Sequence, residues 1–68
     1  MTEAEEQALR EKLAELVEEH RALDMAITAM RDQGVMDQIA IGRLKKRKLQ
    51  LKDLISRIED TLLPDIFA

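Results

Sequence analysis

The chain has one imidazole, and it stands one helical turn before a carboxylate. His20 and Asp24 are four residues apart, the spacing that stacks two side chains on one face of a helix. A carboxylate beside an imidazole or an ammonium group favours their charged forms, so this pair is where proton transfer or the binding of a titrating ligand would be sought first. A third charged centre comes from the stretch RLKKRKLQLKD, Arg43 to Asp53, whose first ten positions hold six basic residues. Lys48 lies in its middle. Two readings of His20, Asp24 and Lys48 compete. In one they form a pH-sensitive or ligand-binding cluster. In the other they are a register lock, in which a polar residue in an apolar seam gives up some stability to exclude slipped alignments.

The remaining composition narrows the chemistry. There is no cysteine, which removes disulfides, thiolate metal sites and thiol nucleophiles, and a single histidine cannot build a zinc or haem site alone. No Gly-rich phosphate loop, paired-carboxylate pocket or second titrating base accompanies the cluster. The expectation is therefore no catalytic residue, no cofactor and no metal, with the register lock as the favoured reading. No apolar run approaches the roughly 18 residues that span a bilayer, and MTEAEEQALR is acidic where a secretory signal would be basic and then apolar. A soluble cytoplasmic protein is expected, with no membrane partner.

The basic run raises a separate choice, between a nucleic-acid contact and one wall of a protein seam. The formal net charge is −3, the only aromatic residue is Phe67, and none lies within the run to stack on a base. Charge is also partitioned: residues 1–33 carry nine acidic and four basic side chains, and residues 38–63 carry seven basic and three acidic. Opposite charge on two segments suits the flanks of a paired helix seam. The sequence thus favours pairing within or between chains for the candidate face of Arg43, Lys45, Lys46, Arg47 and Lys52. The alternative is a small RNA-binding helical bundle that uses Arg43, Lys46 and Arg47.

The elements that must position these groups follow from periodicity. Leu9, Leu13, Leu16, His20, Leu23, Ile27 and Met30 alternate steps of four and three, the heptad seam of a coiled coil. Thr2 and Glu5 make a capping-box start, and Gly34 suits a left-handed C-terminal cap, so a first helix is expected from about residue 3 to 32. After a turn at about 33–37, Asp37 caps a second helix with the stripe Ile41, Leu44, Lys48, Leu51, Ile55, Ile58 and Leu62. It should run from about residue 38 to 63, with Pro64 opposing continuation. Gly42 and the alternation Ile39-Ala40-Ile41 argue weakly against helix at its start, but an isolated strand would have nothing to pair with. A connection this short favours antiparallel neighbours. The predicted fold is all-α: one two-helix hairpin, doubling into a four-helix bundle because two helices alone have a thin core. Asp24 should then lie near Lys45, Lys48 and Lys52, and Glu19 within reach of Arg47 or Lys52.

Apolar residues outside the seam mark candidate self-association surfaces: Ala22, Met25 and Ala29 on the back of the first helix, and Leu49, Leu54 and Leu63 on the second. Gly42, Leu49, Ser56 and Leu63, spaced by seven, are a possible line of close approach. In the tail of residues 64–68, Ile66 and Phe67 are expected either to fold back on the bundle or to hook a partner.

The stretch His20-Arg21-Ala22-Leu23-Asp24 followed by Ile27, and then Leu44-Lys45-Lys46-Arg47-Lys48-Leu49-Gln50-Leu51-Lys52-Asp53-Leu54-Ile55, resembles the YdcH-like family of small bacterial proteins of unknown function. The likeness runs from about Leu13 to Leu63, and KLQLKD is its more specific part. It implies a bacterial cytoplasmic helical hairpin that often associates with itself, and it implies no activity. The ending PDIFA is similar to that of shorter members. The motif residues carried over are His20, Leu23, Asp24, Lys46, Lys48, Leu49, Leu51, Lys52 and Asp53.

Overall fold

The computed structural model describes residues 1–63. The expectations for Pro64, Ile66 and Phe67 as a packed or hooking tail fall outside that range. Two helices form, α1 over Glu3–Asp32 and α2 over Gln38–Leu62, and they pack against each other as a hairpin. At 1.5 Å per residue they are roughly 45 and 38 Å long.

Each helix begins where a side chain satisfies a free backbone donor. At α1 the Glu5 N–H donates to Thr2 Oγ1 at 3.1 Å, while the Thr2 N–H donates to Glu5 Oε1 at 3.3 Å, closing a reciprocal capping box. Glu3, Glu5 and Glu6 add negative charge beside the positive end of the helix dipole. At α2 the Ala40 N–H donates to Asp37 Oδ1 at 3.0 Å.

The reversal between the helices is a complete Schellman motif. Gly34 takes φ +72°, the Gly34 N–H donates to the Arg31 carbonyl at 3.1 Å, and the Val35 N–H reaches back to the Met30 carbonyl at 2.9 Å. Val35 and Met30 are both half-buried, as the apolar closure that often accompanies this motif requires. The last turn of α2 ends differently. Leu63 is the C-cap, at φ −120° and ψ 76°, and its N–H bonds the Glu59 carbonyl at 2.7 Å. A proline next in sequence disfavours the α conformation at Leu63, so the helix closes at Leu62.

The core is a single stripe. Among the described residues Leu16 and Ile27 of α1 and Leu51 of α2 are the buried side chains, and Leu51 has no exposed surface at all. Leu9, Leu13, Leu23, Met30, Ile41, Leu44, Ile55, Ile58 and Leu62 are half-buried along the same line. Helices covered on only one side leave the edges of their apolar stripe open to water.

Candidate functional site

Both flanks of the seam carry an ion pair that ties α1 to α2. On one flank Lys48 Nζ donates to Asp24 Oδ1 at 2.6 Å; on the other, Arg47 Nε donates to Glu19 Oε2 at 2.8 Å. The consecutive numbers of the two cations explain the arrangement. Neighbours on a helix point about 100° apart, so Arg47 and Lys48 straddle the seam and reach opposite sides of α1. The hydrogen bond and charge of Lys48 hold the Asp24 carboxyl below the usual carboxylate range, with smaller help from the nearby His20 and Arg31. The hydrogen bond from Arg47 does the same for Glu19, and the Glu19 carboxylate in turn raises the guanidinium of Arg47.

The polar cluster is therefore only partly joined. Asp24 and Lys48 are bonded, and His20 sits half-buried alongside, on the wall of a groove of about 500 Å³ that is also lined by Val17, Lys48, Leu49, Lys52 and Ile55. Of the three lysines grouped around Asp24 from sequence, Lys48 reaches it. Lys45 and Lys52 make no ion pair among the described residues. The same holds for Arg43 and Lys46, while Arg47, counted among the candidate nucleic-acid contacts, is occupied by Glu19. The helix-surface pairs Glu6–Arg10 and Asp53–Arg57 lie within single helices.

The apolar residues off the seam are exposed. Met25 and Leu49 each keep 67% of their surface accessible, Leu63 is as open, and Leu54 and Val17 lie near the boundary of exposure. Ala22 and Ala29 are exposed beside Met25. Among the described residues three exposed large side chains lie outside the candidates drawn from sequence: Met1 ahead of α1, Met36 at 80% on the turn, and Ile39 at 73% in the first turn of α2. In the sequence Ile39 belongs to a weak strand alternation; with that segment helical, its position off the stripe leaves it open. Ala26 and Ala40 are half-buried without belonging to the large-residue heptads. A search for Leu and Ile at seam spacing passes over such small side chains.

Among the described residues no group of three or more His, Asp or Glu is placed to hold a metal ion, and no helix is long and apolar enough to cross a membrane. The arrangement can bind by burial and by charge.

No curated protein and no solved structure matches the chain. The family model described as a protein of unknown function, DUF465, matches residues 13–59, a span that takes in His20, Asp24, the whole basic run and both cross-helix ion pairs. YdcH-like proteins fall in this family. With well over half of its length matched, the chain belongs to the DUF465 family, whose function is unknown.

Proposed function

We propose that the chain is a non-enzymatic protein-interaction module that associates with itself, working in the bacterial cytoplasm as its likeness to YdcH-like proteins implies. The observation that carries this reading is the imbalance, among the described residues, between three buried side chains and the large apolar residues left open at Met25, Met36, Ile39, Leu49 and Leu63. Surface leucines and methionines are ordinary one at a time. Here they outnumber the buried core of a hairpin too small to gain much from burial alone, and covering them by association adds the missing apolar contact. Sedimentation at micromolar concentrations tests it. A species of at least twice the 7.8 kDa chain mass is expected, and a 7.8 kDa monomer throughout would reject the reading.

A nucleic-acid-binding role is supported by one observation, the absence of ion pairs at Arg43, Lys45, Lys46 and Lys52 among the described residues. Against it, the two cations at the centre of the run already have carboxylate partners on α1. Binding through several phosphates must weaken steeply with added salt, so titration of a fluorescent RNA at two salt concentrations separates the two roles.

A further inference from the structure

We propose that self-association uses one line along α2 and its C-cap, Gly42, Leu49, Ser56 and Leu63, packed antiparallel on the same line of a second copy across a two-fold axis between Lys52 and Asp53. This rests on the self-association proposed above and names the surface that performs it.

Four observations lead there. Residues seven apart recur on one side of a helix, and this side faces away from the seam: Leu49 and Leu63 are exposed, as are Gly42 and Ser56. A Cβ placed on Gly42 meets nothing within 4 Å, and Gly42 lies within α2 with no positive φ, so neither backbone strain nor packing inside the chain accounts for glycine there. Close approach of another backbone does. The line also alternates small and large, and the antiparallel two-fold sets Leu49 of each copy against Ser56 of the other, and Leu63 against Gly42. Every large side chain meets a small one, in the manner of knobs entering holes.

The charges bordering the line agree with the same register. A two-fold axis lying in the interface brings like flanks together, so Lys45 comes beside Glu59 of the other copy on one flank, and Lys46 beside Asp60 of the other copy on the second. Lys45 and Lys46 are two of the cations that have no ion pair among the described residues. At the axis itself Lys52 faces Lys52 and Asp53 faces Asp53. These contacts are unfavourable, but they are exposed and screened, and Asp53 already has Arg57 at 3.0 Å. The groove beside the seam has Leu49 and Lys52 on its α2 wall, so its outer edge adjoins this line.

The absence of native cysteine makes the test direct, because any introduced thiol is the only one in its chain. Single variants K52C, G42C, L63C and M25C are oxidised mildly after circular dichroism has shown each to be helical. Disulfides need Cα atoms within about 7 Å, so K52C should form a covalent dimer at least about tenfold faster than M25C. G42C alone should stay monomeric, because the two copies of Gly42 lie roughly 30 Å apart along the paired helices. G42C mixed with L63C should cross-link. A dimer in sedimentation in which M25C reacts as fast as K52C, or G42C reacts alone, overturns this surface and leaves self-association standing. A monomer at every concentration overturns both.

Discussion

Among the described residues Leu51 is the side chain with no accessible surface, and its loss tests the seam most severely. Leu51→Ala removes burial and leaves a cavity, at a cost of about 2–5 kcal/mol. A core of this size supplies only about 3–5 kcal/mol in all, so the variant is expected to be largely unfolded at 25 °C by far-ultraviolet circular dichroism. Leu49→Ala, two positions away and exposed, should keep its helical signal. The cross-helix carboxylates give a pH dependence of definite sign. Asp24 and Glu19 are both held below their ordinary values in the folded chain, so in acid the unfolded chain binds more protons and is favoured. Their contribution is full above the ordinary carboxylate range, at about pH 4 to 4.5, and is lost as the pH falls through the depressed values. In urea titrations, the double variant Asp24→Asn, Glu19→Gln should therefore lose less stability between pH 6 and pH 3 than the native chain. The seam residues were legible because a four-three spacing leaves one stripe for Leu and Ile. The choice among Lys45, Lys48 and Lys52 as partner of Asp24 was not, because all three stand within about a turn of one level, and their direction around α2 decides which one reaches across.

The two glycines show how one residue type serves opposite ends in helical elements. Gly34 has φ +72° and closes the Schellman turn, whereas Gly42 lies inside α2, and neither has an atom within 4 Å of an added Cβ. Backbone preference alone then sets the sign of each alanine substitution. Gly34→Ala forces a left-handed backbone on a residue with a Cβ and should cost about 1–2 kcal/mol. Gly42→Ala should gain about 1 kcal/mol of helix stability. In a domain of this size 1 kcal/mol moves the melting midpoint by about 4–8 °C, so the two variants should melt on opposite sides of the native chain when compared dilute enough to be monomeric. The sequence separates these roles because Gly34 falls where the first seam stops, with Asp37 three residues later ready to cap α2. The exposure of Ile39 and the partial burial of Ala26 and Ala40 are hidden, since both depend on how α2 is rotated about its axis against α1 rather than on the period of either helix.

For the assembled hairpin, the basic run divides into cations that hold the fold and cations left for partners. Arg47 and Lys48 bond carboxylates of α1, while Lys45 and Lys46 border the proposed two-fold line. Reversing the first pair, Arg47→Glu with Lys48→Glu, sets new carboxylates against Glu19 and Asp24 and should lower the melting midpoint of the monomer. Reversing the second pair, Lys45→Glu with Lys46→Glu, should leave the monomer's helical signal and melting intact and weaken association, since each new carboxylate then faces Glu59 or Asp60 of the other copy. A third double variant, Glu59→Lys with Asp60→Lys, should be just as weakened alone. Mixed with the Lys45→Glu, Lys46→Glu chain it should recover a heterodimer in sedimentation, because the exchanged charges again meet opposites on both flanks. Two facing interface charges, and no nucleic-acid contact, make that rescue reciprocal. If the lysine variant instead loses RNA binding while its sedimentation is unchanged, the free cations of α2 serve phosphates and the apolar line is not where copies meet.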